Sequence, residues 1–375
     1  MKKSFKSILS VILATLLIPQ IDAICTSIDK VAVKDNSTIS VDWKKRLTTK
    51  LKEIATNKKV IAGVAIPVTT VATLTTTIAL NRKFNRYSEL LPEINNENIL
   101  QRKLQIHVLN VGRADCILIK YGEWTCLVDG GNIDWFRPTD VVKYLESLGI
   151  KKLDVLVLTH PHFDHFGQMD EVIEGFNIDR FIYSESGTDF INSCGYEDKV
   201  ETPLKKKNIQ KEKIEAGRYI INQDGFKIQA IGPTKLHNDI NDNSMVLLLT
   251  YEGKKILLMG DAGVESEKEI MDYCRENNID ISNVDAMKIG HHGNGSSSSK
   301  EFVNLVHPEV VLNSTGKQNV ATFNLINLHE YPWIMKRYKD VGSKIYTTEE
   351  QGTIIVSLNK TNKILEYNRA RTKII

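Results

Sequence analysis

The stretch that most restricts how this chain can fold is VLVLTHPHFDHFGQMDEVI, residues 155–173. Val155 to Leu158 is a short, apolar, β-branched run of the kind found in strands buried on both faces. It opens directly into His160, His162, Asp164 and His165. Side chains repeat every second residue on an extended backbone, so His160 and His162 leave the strand on one side. Asp164 and His165 lie past the turn and face a second position. Imidazole and carboxylate without thiolate suit zinc, or manganese or iron where oxygen predominates. Two ligand pairs provide for two cations. The alternative is a histidine-rich tract with no metal role. No repetition surrounds the motif, and two further fragments complete a coordination shell.

The first of these is NDNSMVLLLTYEGKKILLMGDAGVESEKEIM, residues 241–271. It predicts a strand pair around the turn Glu252-Gly253, ending at Gly260 and Asp261 before a helix from about Glu265. A carboxylate at the end of an apolar strand, beside a glycine that lets the backbone come close, is placed to bridge two cations. Taken alone, an aspartate there is more often a helix cap. The second is VDAMKIGHHGNGSSSS, residues 284–299, a strand running into His291 and His292 between Gly290 and Gly293, with a helix from Lys300. His291 is the expected ligand of the second cation, and His292 is expected to adjoin the first cation or the substrate. Serines ahead of a helix are ordinarily caps, although their amides and hydroxyls also suit an anion.

Upstream, residues 104–132 read LQIHVLNVGRADCILIKYGEWTCLVDGGN. The runs Ile106 to Val111, Cys116 to Lys120 and Thr125 to Val128 predict a meander of strands ending at Asp129-Gly130-Gly131. Asp129 is a candidate to orient a ligand histidine through its other nitrogen, or else an ordinary turn residue. A helix over Val141 to Leu148, stopped by Gly149, precedes a strand over Leu153 to Leu158, which implies αβ layering. Residues 184–217 are a polar insertion with Lys205, Lys206, Lys207, Lys211 and Lys213. These lysines border the cleft and meet a phosphate, or form a solvated face.

HPHFDH at residues 160–165, LLMGD ending at Asp261 and HHG from His291 together resemble the metallo-β-lactamase superfamily, whose hallmark is HxHxDH. The resemblance covers most of residues 104–358 and points to the hydrolase domain of ComEC-type DNA-uptake proteins. It implies an α/β fold, the αββα sandwich of two mixed sheets with outer helices and metals at one edge. It also implies that Asp261 bridges two divalent cations, zinc ahead of manganese. The metal ligands are then His160, His162, Asp164, His165, Asp261, His291 and His292, with Asp164 also orienting the nucleophile.

In the ComEC-like branch the first turn reads VGQGD, whereas here it reads VGRAD; Asp115 matches, while Arg113 and Ala114 depart. Many superfamily members place another ligand histidine before the bridging aspartate. This chain has Asn243 and Ser244 there, as the ComEC-like branch does, and His237 stands farther upstream. The first cation then has fewer protein ligands, and Asn243 is expected to steady a water or a substrate oxygen. VVLNSTGKQN and NLHEYPWIMKRYKDVGSKIYTT resemble the closing strand, loop and helix of the domain. His329 stands at the first histidine of the branch's HPHP, with Pro332 at its last proline. That implies a substrate-facing or proton-transfer group, against a helix-start histidine of no special role. Asn313 and Ser314 begin the same wall, Ser314 as a substrate contact.

The charge is uneven. Residues 1–100 carry 15 basic and 8 acidic side chains, a net of +7, which leaves residues 101–375 with 34 against 38, a net of −4. Bulk charge therefore does not argue for nucleic acid in the catalytic part. Lys2, Lys3 and Lys6 precede an apolar run from Ile8 to Pro19 and the small residue Ala23, so residues 1–23 read as a signal peptide or first anchor. Residues 24–59 are a basic segment. Residues 60–80 lack charge and are just long enough for a transmembrane helix, although threonines and Pro67 make a buried or interfacial helix the alternative. Residues 81–100 read as a linker and residues 101–375 as the hydrolase domain. More basic residues precede the 60–80 span than follow it, which places the catalytic domain outside the cytoplasm; a translocating signal at the start would reverse this. The expected protein is membrane-associated or secreted. Five cysteines without paired spacing neither require disulfides nor exclude export.

The function these readings converge on is metal-dependent hydrolysis of a phosphodiester, DNA or RNA among the candidates. The alternatives are a phosphorylcholine esterase acting on cell-wall polymers and a degenerate, membrane-anchored binding module.

Overall fold

The computed structural model describes residues 104–132, 139–184, 195–223, 225–316, 331–359 and 362–366. The expected signal or anchor, basic segment, membrane span and linker of residues 1–100 lie outside the described residues, as does His329.

The first sheet opens with an antiparallel meander, β1 (Leu104–Val108), β2 (Ile117–Tyr121) and β3 (Trp124–Val128). Helix α1 (Val141–Ser147) starts at Asp140, whose side chain accepts the Lys143 N–H at 3.1 Å. Gly149, with φ +74°, lets the chain turn out of it. The crossover lays β4 (Lys152–Leu158) parallel to β3. Helices α2 (Phe163–Phe166) and α3 (Met169–Gly175) then return the chain to β5 (Asn177–Tyr183), parallel to β4. In the polar insertion a π-helical turn at Glu197–Glu201 leads into α4 (Thr202–Lys207). A short strand not foreseen from the sequence, β6 (Lys211–Lys213), joins the edge beside β5.

The second sheet repeats this plan. Its meander is β7 (Tyr219–Gln223), β8 (Phe226–Gly232), β9 (Val246–Tyr251) and β10 (Lys254–Leu258). The β9–β10 turn has left-handed backbone at Glu252 (φ +49°) and Gly253 (φ +78°), the handedness a tight hairpin needs. Helix α5 (Val264–Glu276) crosses to β11 (Ala286–Lys288), α6 (Lys300–Val306) to β12 (Val310–Asn313), and α7 (Tyr331–Asp340) to β13 (Lys344–Thr347), all parallel. After α8 (Thr348–Gln351), β14 (Ile354–Asn359) pairs antiparallel with β1, and β15 (Asn362–Glu366) borders it. The strand orders are β15-β14-β1-β2-β3-β4-β5-β6 and β13-β12-β11-β10-β9-β8-β7.

Three apolar clusters show four layers. Leu104, Ile106, Val155 and Val157 of one sheet meet Ile228, Leu247, Ile256 and Leu312 of the other in the central core. Leu118, Leu156 and Phe181 pack outward on Tyr144, Val172 and Leu204, while Leu248, Met287 and Val311 pack on Ile270, Phe302 and Tyr338. This is the expected αββα sandwich. Among the described residues no helix is long and apolar enough to cross a membrane. Cys116, Cys126 and Cys274 are buried free thiols.

Alternation places the site. In each half, the last meander strand and the parallel strand beside it end together, so β3 with β4, and β10 with β11, deliver their following loops to one edge.

Candidate metal centre

The loop after β4 carries HPHFDH. His160 and His162 face one another, Nε2 to Nδ1, at 2.9 Å. His162 is the residue before α2, so Asp164 and His165 fall in its single turn. The loop after β10 brings Asp261 between both groups. Its Oδ2 lies 3.2 Å from His165 Nε2 and 3.9 Å from His160 Nε2. The loop after β11 adds His292, with Nε2 3.4 Å from Asp261 Oδ1 and 3.6 Å from Asp164 Oδ2, and His291, with Nε2 3.9 Å from Asp261 Oδ2.

Asp164, His165, Asp261 and His292 each present one ligand atom, all within 4.8 Å of one another. His165 Nε2, His292 Nε2 and Asp261 Oδ1 are buried and lack any hydrogen-bond partner. Buried polar atoms are rarely left so, and a divalent cation among them would satisfy all three. The donor set therefore fits a metal. Across Asp261, His160 and His162 offer a second position that shares the same carboxylate. Asp115, Asp129 and His165 also lie together, but Asp129 is bound by His165 Nδ1 and Thr159, and Asp115 by Lys288. That group supports the centre and is not a further cation site.

The supporting contacts fix each ring. Asp129, held at φ +63°, accepts from His165 Nδ1 at 2.7 Å and from the Thr159 amide and hydroxyl at 2.8 and 2.7 Å. The Ser314 carbonyl accepts from His292 Nδ1 at 2.9 Å, and Ser296 Oγ lies 2.7 Å from His291 Nδ1. Ser244 Oγ accepts the Asp261 N–H at 3.0 Å and stands 3.2 Å from His160 Nδ1. Gly260 is required beside it, because an added β-carbon would lie 3.0 Å from the Ser244 β-carbon with φ at +53°. Lys288, fully buried on β11, donates to the Gly260 carbonyl at 2.9 Å and pairs with Asp115, 3.7 Å from Asp261 Oδ1.

These neighbours set the charges. Burial alone would lower His165, but Asp261 and Asp129 on its two nitrogens hold it well above the usual imidazole range. His292, likewise opposed by burial, is pushed up to about 9 by Asp261 and Asp115. Burial would raise Asp164 and Asp261, yet His292 and His165 beside them hold both below the usual carboxylate range. His160, His162 and His291 are lowered, chiefly by burial.

Several expectations change. The four-ligand group takes His292 where His291 was the expected second-metal ligand, because Asp261 Oδ1 and Asp164 Oδ2 lie on the His292 side. Asn243 does not face substrate: it is fully buried, its amide donating to the His237 carbonyl at 3.0 Å and accepting the His237 N–H at 2.7 Å. Ser314 is likewise buried, its hydroxyl donating to the Ala114 carbonyl, so it braces His292 and does not contact substrate. Of the insertion's lysines, Lys205 and Lys206 sit on the surface in ion pairs with Glu197 and Glu174, as a solvated face does, whereas Lys211, paired with Glu201, lines a small pocket with His160 and Pro161. His237 pairs with Glu269, 3.2 Å away. Lys288 and Thr159 are site residues that the motifs do not point to; a lone lysine in the otherwise apolar AMKI segment is the available signal.

The family described as the Metallo-beta-lactamase superfamily matches residues 109–316. ComE operon protein 3 of Bacillus subtilis is 25% identical over 215 residues, 57% of this chain and 26% of that protein. Competence protein ComA of Neisseria gonorrhoeae is 24% identical over 269 residues, 70% of this chain and 34% of that protein. The chain thus spans about a quarter to a third of the length of these relatives. Among solved structures, Igni18, a metallo hydrolase from Ignicoccus hospitalis, is 18% identical with a TM-score of 0.43, over 68% of this chain and 100% of that one.

Proposed function

The chain belongs to the metallo-β-lactamase superfamily, and we propose that within it the protein is a metal-dependent phosphodiesterase acting on nucleic acid or a related diester. The observation that carries the reading is the convergence of three buried, unpartnered ligand atoms, on His165, His292 and Asp261, drawn from three separate loops. The competence relatives favour a nucleic-acid substrate over an acyl one.

His160 and His162 would hold one cation, Asp164, His165 and His292 the other, with Asp261 between them. The nitrogen-rich set favours zinc over manganese. When bound, such a pair supplies Lewis acidity and makes water a competent nucleophile near neutral pH. The chain's own residues orient and exclude. Asp129 and Ser314 fix the His165 and His292 rings, and Ser244 fixes the Asp261 amide. Asp164 is 22% exposed, the one carboxylate of the cluster open to solvent, and would orient the attacking water. His329 is assigned to proton transfer to the leaving group. The amino-terminal third holds the protein to a membrane, with the catalytic domain extracytoplasmic; an alkaline phosphatase fusion at the carboxyl end that stays inactive would overturn that placement.

The purified full-length chain, loaded with zinc or manganese, is expected to hydrolyse bis(p-nitrophenyl) phosphate and single-stranded DNA. His162→Ala and Asp261→Ala should each lower the rate by more than about a thousandfold. Hydrolysis of the small ester alone would point to a phosphorylcholine-type or other small-molecule substrate. A chain that retains no cation by elemental analysis would be a binding module instead.

A further inference from the structure

The turn Val111 to Asp115 contains one side chain that neither the fold nor the proposed chemistry uses. Its backbone is locked on several sides. The Asp115 N–H donates to the Asp164 carbonyl at 3.1 Å, the Asp115 carbonyl accepts the Gly131 N–H at 2.7 Å, and the Ala114 carbonyl accepts from the Ser314 hydroxyl. Opposite, the chain at Gly316 comes so close that an added β-carbon would lie 2.7 Å from the Gly112 α-carbon and 3.1 Å from the Arg113 nitrogen. Val111, Gly112, Ala114 and Asp115 are buried, and only Arg113, at the tip, reaches solvent.

The Arg113 guanidinium makes no hydrogen bond or ion pair with any described residue. Elsewhere the fold readily supplies its cations with carboxylates: Arg180 takes Glu212, Lys199 takes Asp170 and Lys254 takes Asp285. Carboxylates around this turn are already committed, Asp115 to Lys288, Asp129 to His165 and Thr159, and Asp164 and Asp261 to the ligand histidines. Arg113 nevertheless stands beside the centre, since its turn is joined to Asp164 through the Asp115 N–H and Asp115 Oδ1 lies 3.6 Å from His292 Nδ1.

An unpaired, part-exposed guanidinium on a rigid turn has its donors in a planar fork that matches two oxygens of a phosphate. Residues 101–375 carry a net charge of −4, so a cation left free beside the centre adds local attraction for an anionic substrate that bulk charge does not supply. We propose that Arg113 is the substrate clamp of this site, its guanidinium binding the non-bridging oxygens of a phosphodiester at the mouth of the metal centre. The proposal rests on the phosphodiesterase reading for the identity of the substrate, but not for the anion site itself.

The test uses the full-length, cation-loaded chain with Arg113→Gln and Arg113→Lys, after confirming equal metal content. Inorganic phosphate binding is measured by calorimetry, and turnover of bis(p-nitrophenyl) phosphate is measured alongside. Arg113→Gln should weaken phosphate binding and raise KM by about 10- to 100-fold, the effect of losing a charge-assisted contact. Arg113→Lys, with the charge but not the fork, should recover part of both. If the wild type binds phosphate and Arg113→Gln weakens it while neither hydrolyses the diester, the anion site stands and the phosphodiesterase reading falls. Phosphate binding that is absent, or equal in wild type and Arg113→Gln, overturns the clamp.

Discussion

Two adjacent histidines serve opposite oxygens of one carboxylate. His291 and His292 both hold left-handed backbone, φ +46° and +52°, a conformation that costs a non-glycine residue about 1–3 kcal/mol and persists only when its surroundings enforce it. The His291 N–H donates to Gly260 at 3.2 Å and the His292 ring to Ser314 at 2.9 Å, so strand ends on both sides clamp the turn. The result sends His292 Nε2 to Asp261 Oδ1 and His291 Nε2 towards Oδ2. His292→Ala should therefore lower the bound cation count from two to one, and His291→Ala should leave it at two, by elemental analysis after dialysis. Protons report on the same residue. Because His292 is pushed up to about 9 in the cation-free chain, it is imidazolium at neutral pH, and a cation must displace that proton. Apparent affinity should rise with pH through about 9, with His165, also held well above the usual imidazole range, giving up a second proton. Calorimetry in buffers of different ionisation enthalpy should detect proton release, and binding without release would contradict the assignment. Without cation, the stability contributed by His292 is complete below its unfolded value of about 6.5 and lost as pH rises through 9.

Elements are tied to the centre by their ends. Asp242, in the turn before β9, accepts the Gly263 and Ser266 N–H groups at 2.9 and 3.4 Å, so it caps α5 immediately after Asp261. Each polar residue of Asp242-Asn243-Ser244 thus has a bracing role: helix end, loop and aspartate in turn. At the next turn of α5, Glu267 accepts the Ser298 and Ser299 N–H groups ahead of α6, and Arg337 of α7 donates to the Ser298 carbonyl at 2.6 Å. The serine run is therefore largely structural. Burial pushes the Glu267 carboxyl up to about 7 against those donors. A carboxyl raised above its unfolded value of about 4.3 favours the fold while protonated, and that contribution disappears as pH climbs through 7. In the cation-loaded chain the urea midpoint should fall between about pH 5 and 8, and Glu267→Gln should flatten the fall. An unchanged slope would show that Glu267 is ionised throughout.

At the scale of the molecule, polar contacts of the centre join the two sheets. HPHFDH comes from the first sheet, and Asp261 and His292 from the second. Cations held there bind the folded chain alone, so chelation removes stabilisation of about 2.7 kcal/mol for a cation at a hundred times its dissociation constant. For a domain of this size that is a fall in Tm of several degrees, readable by calorimetry with and without EDTA; an unmoved Tm would argue against cations bridging the sheets. The sequence alone determined the strands and helices around the motifs, since β-branched runs, Gly149 and the Glu252-Gly253 turn act locally. It also determined the inventory of ligand types, because HPHFDH, Asp261 and HHG sit at strand ends whatever surrounds them. Tertiary structure alone decided that His292, and not its neighbour, joins Asp164 and His165. It alone turned Asn243 and Ser314 inward and buried Lys288 beside Asp115. The placements of His292, Ser314 and Lys288 depend on which strand end lies opposite which across two sheets, a relation between residues over a hundred positions apart that no local pattern encodes.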